Sequence, residues 1–329
     1  MNKILLAVIL LFIFPWSNKV DAQELSQKGI YEKRMDLYKK TEAKTDIPWY
    51  YLAGIDQFER SIRLVRKDLP KPDRIGGYYI PIEKWVGPGN LNHDDDNPIT
   101  ISFFDGVGRD GNGDGKAERT KEEDLLFTLA QYISKYGVDE NKFRIALWDY
   151  YKRDLTVNSI MTNVKLYKRF NRIDLDKKMF PIPRGYHYSY KNTWGARRGW
   201  GGRRIHEGTD IFAGYGVPVR SIVYGVVELK GWNKFGGWRV GIRDLNNTYH
   251  YYAHLNGFSK DLKIGDIVEP GTIIGSVGSS GYGPPGTSGK FPPHLHFGMY
   301  KDDGRSVWSF DPYPYLRLWE RQERQKDSK

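Results

Sequence analysis

The sequence predicts an α+β chain of more than one domain, a helical half followed by a β-rich half. Three observations carry that prediction. The chain has 329 residues, 39% hydrophobic and 15% aromatic, which is enough apolar material for two packed cores. Its texture changes near residue 180. Residues 24–175 are charged and helix-patterned, whereas residues 185–300 are glycine-rich with short β-branched and aromatic runs. Between them stands Pro181-Ile-Pro183, and neither proline fits the interior of a helix or of a central strand.

At the start, Met1-Asn2-Lys3 is a short basic segment, Ile4 to Phe14 an apolar stretch, and Ser17 to Ala22 a polar segment ending in Val20-Asp21-Ala22. Residues 1–22 thus have the pattern of a secretory signal peptide, with an uncleaved N-terminal anchor as the alternative. No later segment reaches transmembrane length, so no span is expected once the signal is removed. Residues 31–60 read as two helical stretches broken at Asp46-Ile-Pro48. Thr120 and Glu123 read as a capping box opening a helix from Lys121 to Tyr136, and Ala146 to Tyr151 lies on a later helix. In the second half, Ile222–Val227, Trp238–Ile242, Thr248–Tyr252, Thr272–Val277 and His294–Phe297 read as strands. Residues 317–329 form a polar tail expected to fray.

Composition narrows the function. The absence of cysteine excludes a disulfide scaffold, an iron–sulfur protein and a thiol enzyme. Any metal must then be held by His, Asp or Glu, and there are seven histidines. The net charge is +11; losing residues 1–22 removes Lys3, Lys19 and Asp21 and leaves +10. A basic, cysteine-free secreted protein suits an anionic bacterial envelope, where teichoic acid and peptidoglycan are acidic, rather than nucleic acid.

The chemistry-bearing residues gather in four short pieces of the second half. His206-Glu-Gly-Thr-Asp210 reads as a loop running into a strand. Tyr251-Tyr-Ala-His254-Leu255 and His294-Leu-His296 lie on strands, and Gly275 to Gly281 reads as a flexible loop. Side chains two apart on a strand share a face, so His294 and His296 point into the same space. Two imidazoles and a carboxylate make a three-ligand zinc site with one position open for water or substrate, the catalytic pattern. Further histidines beside it suit acid–base work, since imidazole titrates near neutrality.

These residues resemble the LytM/lysostaphin-type zinc peptidases, which cleave peptide bonds in peptidoglycan. The H-x-x-x-D motif matches His206 and Asp210, H-x-H matches His294 and His296, and Y-x-H-L matches Tyr252-Ala-His254-Leu255. A G-D-x-V-x-x-G turn matches Gly265 to Gly271. The resemblance covers roughly residues 186–312 and implies an antiparallel β-sheet groove. It implies zinc on His206, Asp210 and His296, with His254 and His294 as catalytic residues beside the metal. Three departures stand out: Pro292-Pro293 before His294, an insertion from Tyr282 to Phe291, and Gly298 where the family often has glutamate. His93, His187 and His250 are given no role, and His250 is read as an ordinary strand residue.

In the first half, Ile47 to Glu59 resembles the lysozyme-like lytic transglycosylase core, in which the closing glutamate is a general acid. The glycine-x-Met-Gln segment of that family is replaced around Gly76-Gly77-Tyr78-Tyr79, and the alternative for Glu59 is a salt-bridging residue beside Arg60 and Arg63. A degenerate, substrate-gripping or spacing domain is therefore expected. Asp110, Asn112 and Asp114, followed by Gly115, form the first half of a calcium loop within residues 105–124. Its twelfth position is Lys121 rather than glutamate, and Glu118 and Glu122 remain candidate ligands beside a solvated turn as the alternative.

The expected organisation is a signal peptide at 1–22, a helical lysozyme-like domain at 23–180, a LytM-type zinc peptidase domain at 181–316 and the tail. The arrangement as a whole is similar to the spore-cortex endopeptidases of endospore-forming bacteria. That similarity implies export to the cell wall or cortex, peptidoglycan stem peptides and glycan as partners, and hydrolysis of the L-Ala–D-Glu bond during cortex maturation. A D,D- or glycyl endopeptidase cutting crosslinks, or a non-enzymatic wall-binding or activator protein, are the alternatives.

Overall fold

The computed structural model describes residues 18–72, 75–199 and 204–326, so most of the expected signal peptide, residues 1–17, lies outside the described residues. The first half is helical: α1 (Asn18–Thr45), α2 (Trp49–Val65), α3 (Ile82–Val86), α4 (Pro98–Phe103), α5 (Glu122–Ser134), α6 (Glu140–Tyr151) and α7 (Asp154–Phe170). Asp46 adopts a left-handed backbone and Pro48 stands at the start of α2, which ends α1 where the sequence placed the break. Helices α2 and α7 approach closely because residue 54 is glycine. A β-carbon there would lie 2.6 Å from Val164 Cγ2, and Asn163 Nδ2 donates to the Gly54 carbonyl at 3.1 Å. Asp56, fully buried on α2, accepts from Arg34 and Tyr38 of α1 and from the backbone of Gly77 and Tyr78, tying three segments together.

The second half is a β-sheet: β1 (Tyr188–Tyr190), β2 (Arg197–Arg198), β3 (Arg204–Ile205), β4 (Thr209–Ala213), β5 (Pro218–Arg220), β6 (Gly225–Asn233), β7 (Gly237–Asp244), β8 (Thr248–Phe258), β9 (Ile267–Val268), β10 (Ile273–Val277), β11 (His294–Asp302) and β12 (Val307–Phe310). The main path runs β1-β4-β11-β8-β7-β6-β9, with β10 bridging β5 and β8, β12 on β11, and every pairing antiparallel. Ile211, Tyr252, Leu255, Leu295 and Phe297 fill the core behind the central strands. Alternation then leaves Asp210, Tyr251 and His296 on the other face.

Four expectations are corrected. The strand expected from Ile222 begins only at Gly225, because Ile222 and Val223 are spent on an irregular segment held by the Ser221 side chain. The helix α5 starts after Lys121 with no side-chain cap, so Thr120 and Glu123 form no capping box. The run Gly275–Gly281 is not a flexible loop. Its first part is strand β10, Gly278 bridges to His294, and Ser280 Oγ donates to the Leu255 carbonyl at 2.6 Å. The polar tail is a helix, α8 (Tyr313–Lys326), which buries Leu316 and Trp319; Glu320 accepts from Tyr188 and Tyr190, each at 2.7 Å. Polar composition misled there because α8 pairs its acidic groups inward, Glu323 taking Arg220 at 2.7 Å.

The halves are packed together. Tyr224, Val226 and Leu245 belong to the helical core, and Arg153 of the α6–α7 turn pairs with the fully buried Asp302 of β11 at 2.8 Å. No helix among the described residues is long and apolar enough to cross a membrane.

Candidate active site

Register places Asp210 of β4 directly beside His296 of β11, so both side chains rise from the same face. His206 joins them from the turn after β3, its N–H donating to the Ala196 carbonyl at 2.8 Å. That turn closes over His296 only because residue 208 is glycine: a β-carbon there would lie 2.6 Å from His296 Cε1. His206 Nε2 stands 2.8 Å from His296 Nδ1 and 3.0 Å from Asp210 Oδ1, and His296 Nδ1 stands 3.1 Å from the same oxygen. Tetrahedral zinc with bonds of about 2.0–2.1 Å needs neighbouring ligand atoms about 3.3 Å apart, so the three atoms fit that ion. Among the described residues this is the group of three acidic or imidazole side chains whose ligand atoms gather within 4.8 Å.

The remaining ring nitrogens are oriented by backbone carbonyls. Those of Thr193, Pro292 and Ser280 lie 2.8, 2.9 and 2.8 Å from the Nδ1 atoms of His206, His294 and His254. Each carbonyl can only accept, so each Nδ1 carries a proton there, and in the neutral ring Nε2 is the acceptor. Thr193 also accepts from the Asp210 N–H through its Oγ1 at 3.1 Å. Sequence reasoning missed this residue, which lies outside every motif and declares itself only through the fold.

His254 reaches the site by a bulge. Strict alternation along β8 would send it to the core side with Tyr252. Instead the register with β7 slips between Trp238–Leu255 and Val240–Tyr252, and His254 takes a left-handed backbone (φ 60°). Its ring then lies 4.9 Å from that of His294 and 5.9 Å from that of His296. Burial, followed by the nearby His296 and His294, pushes its imidazole down to about 3. For Asp210 burial alone would raise the carboxyl, but hydrogen bonds from His206 and His296 and the imidazoles around it hold it well below the usual carboxylate range.

The insertion supplies a wall. Phe291 packs edge-on against His254 at 4.7 Å between ring centres, and Tyr282 stacks on it at 6.0 Å while meeting Phe291 edge-on at 5.5 Å. Together with Arg204, Phe235, Tyr251 and Tyr300 they bound a cleft of about 490 Å³ over the triad.

The other sequence-marked residues lie elsewhere. Asp110 accepts from the N–H groups of Gly113 and Gly115, Asn112 from Asp114, and Asp114 from Lys116, which makes this a self-bonded turn. Asp124 satisfies the backbone of Gly111, Asn112 and Glu118, and the structure gives calcium no support. Glu59 is buried on α2 and accepts from the Tyr151 hydroxyl at 2.6 Å; burial raises its carboxyl to about 7. His250 is more than a strand residue. It is buried, and its Nε2 meets Asp244 at 3.0 Å.

A sheet cleft with two imidazoles, a carboxylate and two flanking histidines is the arrangement of a hydrolytic metalloenzyme. Residues 204–308 match the model of peptidase family M23. The chain is 60% identical to the L-Ala--D-Glu endopeptidase of Bacillus subtilis (strain 168) over 324 residues, 98% of this chain and 99% of that protein. It is 34% identical to lysostaphin of Staphylococcus staphylolyticus over 115 residues, 34% of this chain and 22% of that one. Among solved structures, the catalytic domain of the antimicrobial peptidase lysostaphin from Staphylococcus simulans aligns at 30% identity with a TM-score of 0.32, covering 40% of this chain and 92% of that one. The chain belongs to peptidase family M23.

Proposed function

We propose that the protein is a secreted, zinc-dependent endopeptidase that hydrolyses the L-Ala–D-Glu bond of peptidoglycan stem peptides in the spore cortex. The observation that carries the reading is 60% identity running through both halves to a relative named for that bond. Zinc held by His206, Asp210 and His296 would polarise the scissile carbonyl and bring water to a pKa of about 7. His254 offers Nε2 as proton acceptor, its ring fixed through Nδ1 by the Ser280 carbonyl. His294, with Nε2 3.7 Å from Asp210 Oδ1, takes up a proton there and donates to the developing oxyanion.

The helical half we read as a spacing or substrate-gripping unit of lysozyme-like descent. The Glu59 carboxyl is buried on α2 and bonded to the Tyr151 hydroxyl. The apolar stretch Ile4–Phe14 supports export, and the net charge of +10 after its removal supports retention on anionic wall polymers. Cleavage of glycyl or D,D-crosslinks rests on similarity over only about a third of the chain. Mass spectrometry of digested cortex peptidoglycan tests the reading: the products should be muramic acid bearing a lone L-Ala and peptides beginning with D-Glu. Products cut only at crosslinks would refute it.

A further inference from the structure

Beside the metal triad the sheet carries a second recognition element. Arg239 of β7 lies opposite the bulged pair Ala253–His254 of β8, and Ala253 is in turn the register partner of His296. Asp210, His296, Ala253 and Arg239 thus form one row across four strands. At the usual strand spacing, Arg239 starts roughly 10 Å from His296 on the same face. Its side chain lines a hollow of about 390 Å³ with Arg243, Tyr249, Tyr251 and Tyr300, and this hollow shares Asn233, Tyr251 and Tyr300 with the cleft over the triad. Gly298, the register partner of Tyr251, adds no side chain to the floor between them.

The two arginines differ. Arg243 is satisfied by Glu228 at 2.7 Å and by Asn247 at 3.3 Å. Arg239 has no carboxylate within 4.0 Å among the described residues; its Nε is buried without a hydrogen-bond partner, and the rest of its guanidinium meets the Tyr251 side chain. A half-buried guanidinium with no carboxylate of its own, lining a hollow that opens into the reaction cleft, is a receptor for a carboxylate. Substrate chemistry provides one. A glutamyl residue bonded through its amine to L-Ala uses one carboxyl to continue the chain and keeps the other free, a residue's length from the scissile bond.

We propose that Arg239 is a specificity-determining residue that binds the free carboxylate of the D-Glu on the leaving side of the cut. The assignment rests on the L-Ala–D-Glu reading above. It explains why an acidic residue is selected next to the bond by a cleft whose other guanidinium, Arg204, is already stacked on Phe235 and bonded to the Tyr282 hydroxyl.

The test compares two soluble stem peptides, one with the free glutamyl carboxylate and one with that group as its amide, on the full chain loaded with zinc. The parent should favour the acid by roughly 10–100-fold in kcat/KM. Arg239→Gln should lose that preference through KM on the acid peptide, with its rate on the amide and its zinc content unchanged, and Arg239→Lys should keep part of it. An unchanged acid preference in Arg239→Gln, or equal losses on both peptides, would overturn the assignment. If the parent cuts neither peptide at L-Ala–D-Glu, the underlying reading falls instead, and the failure is recognised because it appears without any substitution.

Discussion

His206 Nε2 and His296 Nδ1 stand 2.8 Å apart and both face Asp210 Oδ1, at 3.0 and 3.1 Å. The Thr193 carbonyl holds His206 by its Nδ1, so Nε2 is the atom aimed at the other two. A cation held by these three converging atoms would bind only the folded chain. Removing metal with a chelator should therefore lower Tm, and adding back excess zinc should restore it by mass action. Calorimetry showing the same Tm with and without chelator would break this link.

Asp210→Ala should lose metal and activity together, since the carboxylate touches both imidazoles and supplies the anionic ligand. Elemental analysis showing one zinc per chain in this variant would exclude Asp210 as a ligand.

His254 occupies a left-handed backbone that asparagine tolerates well. His254→Asn should accordingly fold and keep its zinc while losing turnover by about 10²–10⁴-fold. His294→Ala should behave likewise, because its nearest ligand contact, 3.7 Å to Asp210, is longer than those within the triad. Near-normal rates in either variant would remove that residue from the mechanism.

Glu59 is held protonated by burial, with a carboxyl near 7 against an ordinary value of 4.5. A raised acid contributes stability that is complete below the ordinary value and is lost as pH climbs through the folded one. Glu59→Gln should match the parent in Tm at pH 4–5 and exceed it at pH 8. Peptide cleavage should be unaffected, with no anhydro-muramic sugars among the products of either protein. Such sugars from the parent alone would reveal a second, glycan-cleaving activity.

Glu323→Ala should destabilise the protein by about 3 kcal/mol, because it strands Arg220, a guanidinium buried under α8. Denaturant titration reads this directly, and a change below about 0.5 kcal/mol would mean that α8 is only loosely held.

The β half was the more legible part of the sequence, since period-two patterning around His294–Phe297 and Thr248–Tyr252 specifies faces as well as strands. The triad could be named because its spacing is local: three residues separate His206 from Asp210, and His296 is recognised by its neighbour His294. What joins β4 to β11 is a long-range register, and no local signal announces Thr193, the bulge at His254 or the guanidinium of Arg239. The tail misread as fraying shows the opposite failure. Arg317 to Lys329 looks solvated by composition, yet Trp319 joins the sheet core, and Glu320 and Glu323 each have a partner more than a hundred residues upstream.

Asp302, buried at the end of the strand that starts with His294 and His296, is neutralised by Arg153 from the helical half, while Tyr224, Val226 and Leu245 complete that half's apolar interior. A peptidase unit cut free at residue 181 would carry an uncompensated anion on its catalytic strand and an oily scar where the helices had been. Grafting it onto another scaffold would then require redesign of that scar, and recombination that trades only one half should yield insoluble offspring. Within this chain each half thus completes the interior of the other.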